Sequence, residues 1–261
     1  MMSSDLSFLL TMIKEAGQLA RNYFVKDQLD VQNKSSKDLV SEADLNVEKF
    51  ICESIKSKFP EDGLFGEEYG KVEGNHREWI IDPIDGTGSF CRKQPYFSVS
   101  IALFENGKAK CGAVYAPILG ELFYAERGEG AFCNGNKICV SKSASLEESV
   151  LATGFACIRS NLSPNNMPFL NALLPKLQDM RRYGSAAIDL CYVACGRLDG
   201  FWELYLKPYD YAAGQIILEE AGGVVTDFED SQENCETEIL ASNKFIHNQI
   251  VEIFKEVKGN L

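Results

Sequence analysis

The sequence predicts a mixed fold, with an α+β half over residues 1–145 and an α/β half over residues 146–261. In the first half, helical patterns give way to strands joined by Asn-Gly turns, and in the second half strands alternate with helices. The composition, with 45% apolar and 25% charged residues, is typical of a globular chain that buries a substantial core. Because no flexible linker separates the halves, we expect one compact unit.

The first half begins with two helices and continues as an antiparallel sheet. Apolar residues at helical spacing predict the first helix, and a polar loop follows over residues 27–38. Asn106-Gly107 joins the clearest pair of strands, because both residues tolerate the positive φ of a type I′ turn. The predicted elements are helices over 5–25 and 42–58 and strands over 79–81, 98–104, 109–115 and 121–126, with a second Asn-Gly turn at 134–135.

The second half alternates between the two kinds of element, which is typical of a sheet covered by helices. Gly222-Gly223 closes one of these helices. The predicted strands cover 150–154, 199–204, 224–227 and 238–241, and the predicted helices cover 168–179, 186–195, 212–221 and 244–257.

The charge balance argues against nucleic acid as a main ligand. There are 26 basic and 38 acidic residues, which gives a formal net charge of −12. Binding to a phosphate backbone needs a basic face. A phosphorylated small molecule would therefore need positive charge supplied locally by a metal, a helix N-terminus or a few basic side chains.

Cysteine usage and hydropathy indicate a cytoplasmic protein with no membrane segment. The nine cysteines are scattered without a CxxC pair, as expected for free thiols in a reducing compartment. The apolar run Phe8–Ile13 is soon interrupted by Lys14 and Glu15, so we interpret it as part of an amphipathic helix and not as a targeting segment.

Several enzyme classes lack their residues in this chain. The two histidines, His76 and His247, lie in or near polar segments that are typical of the surface, so a Ser-His-Asp triad has no strong candidate. The sequence contains no GxxxxGK[ST] motif and no GxGxxG motif after a strand, which disfavours nucleotide-dependent kinases and dehydrogenases.

The most informative segment is the end of the apolar strand at residues 79–81. Asp82 and Asp85 flank Pro83, and Gly86-Thr87 then opens a helical turn whose free N–H groups favour an anion. Carboxylates beside an anion site would repel a phosphate unless a divalent cation bound both, and hard oxygen ligands favour Mg²⁺. A plain surface turn is the alternative, because Asp, Pro and Gly are common turn residues.

Three further acidic positions are ambiguous on their own. Glu67 and Glu68 follow Gly66, but a pair of glutamates is often a solvated face. Asp44 follows Ser41 in a stretch that helix N-capping explains, and Asp210 could itself be the N-cap of the helix that follows it. Small residues at 212–214 would let that helix terminus approach another backbone closely.

Together these segments resemble the inositol monophosphatase family along nearly the whole chain. The resemblance rests on Gly66-Glu67-Glu68, on the run from Asp82 to Thr87, on the run from Asp210 to Gly214 and on residues 34–44. They occur in the family's order and at its approximate spacing. The resemblance implies a layered αβαβα sandwich of the sugar-phosphatase type, a homodimer, Li⁺ sensitivity and Mg²⁺-dependent hydrolysis of a small phosphate monoester.

The resemblance also implies roles for individual residues. It implies ligands for two or three Mg²⁺ ions at Glu67, Asp82, the carbonyl of Ile84, Asp85 and Asp210. The catalytic residues would be Asp44, Thr87 and Glu67, with Asp44 and Thr87 orienting or activating the attacking water. The residues that bind substrate and its phosphate would be Asp85, Gly86, Thr87, Ala186, Glu203 and Asp210.

Inositol 1-phosphate is the substrate that the resemblance favours, and the sequence leaves alternatives open. Fructose-1,6-bisphosphatase, histidinol-phosphatase and nucleotide 3′-phosphatase activities share the same scaffold, and Arg159, Arg181 and Arg182 could hold a second anionic group. A non-catalytic regulatory protein on this fold would be expected to lose metal ligands. The chain departs from the family at Gly88-Ser89, Tyr209 and Lys207-Pro208, and none of these changes removes a ligand.

Overall fold

A computed structural model describes residues 2–25, 31–33, 39–231 and 237–261. The first part contains an eight-stranded sheet with the spatial order β10-β9-β8-β7-β6-β5-β3-β4. Its neighbouring strands are antiparallel except for β3 and β5, which are parallel. The strands are β3 (Gly63–Gly66), β4 (Gly70–Val72), β5 (Arg77–Asp85), β6 (Ser98–Glu105), β7 (Lys108–Ala116), β8 (Glu121–Glu126), β9 (Gly130–Cys133) and β10 (Asn136–Lys137). A separate ribbon pairs β1 (Val31–Asn33) with β2 (Leu39–Ser41), and the helices are α1 (Ser4–Val25), α2 (Glu42–Lys58) and α3 (Thr87–Cys91).

The second part contains a five-stranded mixed sheet with the order β12-β11-β13-β15-β14. Its strands are β11 (Val150–Thr153), β12 (Asp179–Arg181), β13 (Gly200–Leu204), β14 (Gly223–Thr226) and β15 (Glu238–Asn243). The helices are α4 (Ala156–Arg159), α5 (Met167–Leu173), α6 (Ala186–Ala194), α7 (Pro208–Glu220) and α8 (His247–Gly259).

The elements form five layers, because each sheet is covered on both faces. Alternate residues of β5 show this for the large sheet: Ile81 packs with α1 and α2, whereas Ile80 packs with α6 and α7. The second sheet covers the other side of α6 and α7, and its outer face packs on α5 and α8 through Trp202 and Phe254. The predicted αβαβα sandwich is confirmed.

Small residues let the central helices lie close to the large sheet and to each other. A Cβ added at Gly112 on β7 would lie 3.1 Å from the Cα of Ala213 on α7, and one added at Gly214 would lie 2.7 Å from the Leu190 side chain of α6. The predicted close approach of the segment 212–214 is therefore confirmed. This packing fixes the start of α7 against the strands that carry the acidic motif.

Most predicted elements are present, and three predictions about them are wrong. The helix predicted over 168–179 ends at Leu173, because Pro175 removes a backbone donor and disfavours helix before it; a short 3₁₀ turn and β12 follow. The strand predicted over 79–81 continues to Asp85, with a register shift between Asp82 and Asp85 that accommodates Pro83.

The third wrong prediction is the loop over 27–38, because Val31–Asn33 pairs with Leu39–Ser41. The rest of that loop, residues 27–30 and 34–38, lies outside the described residues. The sequence patterns also missed β3 and β4, which are too short for a periodic signal, whereas the predicted Asn134-Gly135 turn is present and joins β9 to β10. The division at residue 145 remains a prediction.

In the part of the chain that the structure describes, no helix combines the length and the apolar character needed to cross a bilayer.

Candidate active site

One large cavity, of about 690 Å³, lies where the two sheets and the central helices meet. Its wall is predominantly polar, and both halves of the chain contribute to it. The lining residues that matter for the chemistry are Glu67, Asp85, Gly86, Thr87, Arg159, Arg182, Ser185, Ala186, Asp189, Glu203 and Asp210.

The end of β5 brings two aspartates into the cavity wall. Asp82 pairs with Ser100 and Asp85 with Ser98, so one extra residue is inserted between the two pairs at Pro83. Both side chains are buried. Carboxylate oxygens of Asp82, Asp85 and Asp210 all lie within 4.8 Å of one another. Residues that are 125 positions apart are thus close enough to share a cation.

Asp210 reaches this cluster from the first turn of α7. Pro208 begins the helix, and the Asp210 carboxylate accepts a hydrogen bond from the Lys207 N–H at 2.6 Å. The sequence left open that Asp210 is the N-cap. The structure corrects this alternative: Lys207 is the N-cap, and Asp210 occupies the third helical position.

Glu67 follows β3 at the rim of the cavity, on a loop that a buried glutamate holds. Glu48 of α2 is fully buried and accepts the N–H groups of Glu68 and Tyr69 at 2.8 and 3.0 Å. A Cβ at Gly66 would lie 1.9 Å from Glu48 Oε1, so glycine is required there. Sequence reasoning missed Glu48; the available signal was an acidic residue on the apolar face of α2.

The acidic groups strongly perturb one another. Burial, reinforced by neighbouring carboxylates, raises the pKa of Asp82 well above its usual range. Burial followed by repulsion from Asp85 raises the pKa of Asp210 to about 8, and burial followed by repulsion from Asp210 and Asp44 raises that of Glu67 to about 8. Burial raises the pKa of Asp85 to about 6, although hydrogen bonds partly offset it.

These carboxylates fit a site for a hard divalent cation. In the described part of the chain, Asp82 Oδ1 is buried and has no hydrogen-bond partner, which is costly unless a cation or proton compensates it. All the candidate donors are oxygens, as Mg²⁺ prefers. The Ile84 carbonyl lies between the two aspartates in the chain and accepts the Thr87 hydroxyl at 3.0 Å.

The residues implied in catalysis lie around this cluster. Asp44 is buried on α2, and its charge contributes to the raised pKa values of Glu67 and Asp82, which places it beside them. Gly86 has φ of 94° and precedes α3, as the predicted turn requires. A Cβ there would lie 2.8 Å from the Tyr96 carbonyl oxygen, so no larger residue fits.

The first turn of α6 holds Asp85 in place. Ser185 donates its hydroxyl to Asp85 Oδ2 at 2.6 Å, and the Ala187 N–H donates to the same oxygen at 2.8 Å. Ser185 is also the N-cap of α6 and accepts the Ile188 N–H. Its N-cap position was readable from the sequence, but its bond to an aspartate 100 residues away was not.

Glu203 lies on β13 and lines the cavity. Burial raises its pKa to about 7, and the nearby Asp85 adds to the effect. A Cβ at Gly154 would lie 2.0 Å from Glu203 Oε2, so this glycine makes room for the carboxylate. Ala186, the other implied substrate contact, lines the cavity beside Asp85.

Of the three arginines considered for a second anionic group, two line the cavity. Arg159 and Arg182 do so, whereas Arg181 points to the surface and forms an ion pair with Asp179 at 2.5 Å. Arg182 lies against Gly184, where a Cβ would be 2.4 Å from its Nη1. The prediction that Arg181 could take part is therefore not supported by its position.

The histidines lie away from the cavity, as their absence from its lining shows. His76 is exposed, as expected, but the expectation of a surface position is wrong for His247, which is buried. Its ring nitrogens lie 2.7 Å from the Ser242 hydroxyl and 3.0 Å from the Thr226 hydroxyl. Because Ser242 is fully buried, this contact does not provide an accessible nucleophile.

The layered fold, the polar cavity and the acidic cluster are the features expected of a phosphatase, and the sequence comparisons identify its family. The model of the inositol monophosphatase family matches residues 1–258, and the chain belongs to that family. The Nus factor SuhB of Escherichia coli K12 is 40% identical over 218 residues, which cover 82% of each chain.

Solved structures agree with this assignment. The structure of the extragenic suppressor protein suhB from Bartonella henselae has a TM-score of 0.91 and 38% identity, and covers 97% of this chain and 99% of that one. The structure of the Thermotoga maritima IMPase has a TM-score of 0.87 and 38% identity, with 99% of both chains covered. The similarity thus extends over the whole layered fold.

Proposed function

We propose that the chain hydrolyses inositol 1-phosphate to myo-inositol and phosphate in a Mg²⁺-dependent reaction. The observation that carries the proposal is the cluster in which oxygens of the buried Asp82 and Asp85 and the half-buried Asp210 lie within 4.8 Å of one another on the cavity wall. Membership of the inositol monophosphatase family supports the phosphatase class, and the name of the Thermotoga relative supports the substrate.

Two or three Mg²⁺ ions would be held by Glu67, Asp82, the Ile84 carbonyl, Asp85 and Asp210. Bound Mg²⁺ supplies positive charge that neutralises the ester dianion and lowers the pKa of a coordinated water. The chain contributes the ligand geometry: the bulge at Pro83 sets the two aspartates of β5, and the start of α7 sets Asp210.

The remaining chemistry falls to polar groups beside the cluster. The Thr87 hydroxyl donates a hydrogen bond to the Ile84 carbonyl, so its oxygen can accept a hydrogen bond from the attacking water. Asp44, with Glu67, would take up the proton. The phosphate would lie on the N–H groups of Gly86 and Thr87. Direct attack by water requires no covalent enzyme intermediate.

The part of the cavity that carries Glu203 suits a polyol. Asp85, Glu203 and Asp210 are hydrogen-bond acceptors, and Ala186 lines the cavity with them. Hydroxyl groups of an inositol ring would donate to these oxygens. The cavity volume of about 690 Å³ is in the range of small-molecule sites.

A bisphosphate is a second candidate substrate, because Arg159 and Arg182 line the same cavity. Their guanidinium groups could bind the second phosphate of fructose 1,6-bisphosphate. A nucleotide 3′-phosphate would use the same arginines.

A non-catalytic role is the other candidate, favoured by the name Nus factor that the curated relatives carry. The complete set of implied ligands supports the enzyme instead. Cells carrying Asp85→Asn in place of the natural chain separate the two roles. If the protein only binds a partner, these cells should behave as wild type, and if it is an enzyme, they should behave as a deletion strain.

We also propose that the protein is a homodimer, which light scattering tests directly.

Phosphate release is the experiment that tests the proposal. We expect turnover of inositol 1-phosphate with Mg²⁺, none with EDTA, and a loss of at least about 100-fold in Asp85→Asn, as for removal of an essential catalytic electrostatic group. Asp179→Asn is the matched control, because it makes the same chemical change at an exposed site. Faster turnover of fructose 1,6-bisphosphate than of inositol 1-phosphate would change the proposed substrate. Turnover that survives EDTA would refute the metal mechanism.

A further inference from the structure

Asp189 is a buried carboxylate in the cavity wall to which none of the roles above applies. It lies one turn into α6, on a helix whose other buried side chains include Ile188, Leu190 and Cys191. It is 2% exposed and lines the cavity. No hydrogen bond to either of its carboxyl oxygens exists among the described residues, and Oδ1 is completely buried.

Asp189 does not belong to the cation cluster. Among the residues that the structure describes, the carboxylates close enough to share one ion are Asp82, Asp85 and Asp210, and Asp189 is not one of them. The charged groups around it are Asp85 and Glu203, which repel its negative charge, and Arg182, which attracts it. It therefore lies near Asp85 and Glu203, two of the carboxylates proposed to bind substrate hydroxyls.

A purely structural role explains Asp189 poorly. A buried polar group without a partner costs about 1–3 kcal/mol, whereas an apolar residue would suit the surrounding α6 positions. A ligand hydroxyl that reaches the carboxyl group from the cavity would offset part of this cost. The interaction is available in either protonation state, because an ionised carboxyl accepts a hydrogen bond and a protonated one both donates and accepts.

We propose that Asp189 forms a second hydroxyl subsite beside Glu203 and selects phosphate esters of polyhydroxylated alcohols over esters whose alcohol carries no free hydroxyl. The inference rests on the proposed function and adds to it a specificity-determining residue. It assigns Asp189 to the alcohol part of the substrate and gives it no role in binding the phosphate or the cations.

The test compares two esters in wild type, Asp189→Ala and Asp189→Asn. One ester is inositol 1-phosphate, and the other is 4-nitrophenyl phosphate, whose alcohol has no second hydroxyl. We expect Asp189→Ala to lower the ratio of kcat/KM for inositol 1-phosphate to kcat/KM for 4-nitrophenyl phosphate by about tenfold or more, because one hydrogen bond to a charged group is lost. The loss should appear as a higher KM for inositol 1-phosphate. Asp189→Asn should recover part of the ratio.

An unchanged ratio in Asp189→Ala would overturn the inference, as would an equal loss for both esters, which indicates a structural role. Melting temperature adds a second readout: loss of an unsatisfied buried carboxyl should leave the Asp189→Asn protein at least as stable as wild type, and a fall of several degrees would favour a structural role.

If wild type hydrolyses neither ester in the presence of Mg²⁺, the proposed function is wrong. In that case calorimetric binding of myo-inositol tests the role of Asp189 independently of turnover. Weaker binding by Asp189→Ala than by wild type supports the subsite. Equal binding, or no binding by wild type, refutes it.

Discussion

Replacing one carboxylate of the acidic cluster should stabilise the metal-free protein. Two carboxylates within 4.8 Å of each other repel by at least about 3.5 kcal/mol at an effective dielectric constant of 20. Asp82→Asn keeps the shape of the side chain and removes one of these charges. At roughly 2–4 °C per kcal/mol for a chain of this size, one ionised pair corresponds to a rise of roughly 7–14 °C in Tm.

The raised pKa values of the cluster predict how the stability of the metal-free protein changes with pH. The pKa of Asp85 is raised to about 6 and those of Glu67 and Asp210 to about 8. A carboxyl whose pKa is higher in the folded than in the unfolded state causes no loss below the unfolded value, near pH 4, and destabilises the fold as pH rises through the folded value. Metal-free wild type should therefore lose stability between about pH 4 and pH 8.

Thermal unfolding in EDTA at pH 5 and pH 8 is the assay, with Asp179→Asn as the exposed control. We expect Asp82→Asn to melt higher than wild type at pH 8 and by a smaller margin at pH 5. Added Mg²⁺ should raise the Tm of wild type more than that of the variant. A variant that is no more stable than wild type at pH 8 in EDTA would show that the cluster is not under electrostatic strain.

Three further substitutions test the groups that hold the site. Gly66→Ala would place a Cβ 1.9 Å from Glu48 Oε1, so the loop clamp must open; we expect a higher Mg²⁺ concentration for half-maximal turnover, which a metal titration measures. Gly154→Ala would place a Cβ 2.0 Å from Glu203 Oε2, and steady-state kinetics should show a larger rise in KM for inositol 1-phosphate than for 4-nitrophenyl phosphate. Ser185→Ala removes both an N-cap and a buried hydrogen bond, so the free energy of unfolding should fall by about 1–3 kcal/mol. Tm and kcat/KM should therefore fall together, and Ser185→Thr should restore both. An unchanged metal requirement, an equal KM change for both esters, or a fully stable Ser185→Ala would contradict the respective prediction.

Much of the fold could be predicted from local sequence patterns, because helices and tight turns depend mainly on residues that are neighbours in the sequence. The Asn106-Gly107 turn is present with φ values of 52° and 75°, the geometry that a type I′ turn requires. The helices α1 and α2 begin and end within one residue of their predicted bounds. Short strands such as β4 escaped prediction, because three residues carry no period.

The sequence itself indicated a cation at Asp82 and Asp85, but the complete ligand set was predicted only by resemblance to a family, because the forces that assemble it act over long sequence distances. Asp82 and Asp210 meet only after α7 has packed on the large sheet through residues such as Gly112 and Ala213. Glu48 and Asp189 were missed because each is one acidic residue on a helix with an apolar buried face, and only burial distinguishes them from solvated charges.

The most direct test of the central claim is a calorimetric Mg²⁺ titration of metal-free protein, with inositol 1-phosphate turnover measured on the same samples. Wild type and Asp179→Asn should bind Mg²⁺ and gain activity over the same concentration range, whereas Asp210→Asn should lose both. Mg²⁺ binding that Asp210→Asn leaves unchanged, or turnover that appears without Mg²⁺, would contradict the account.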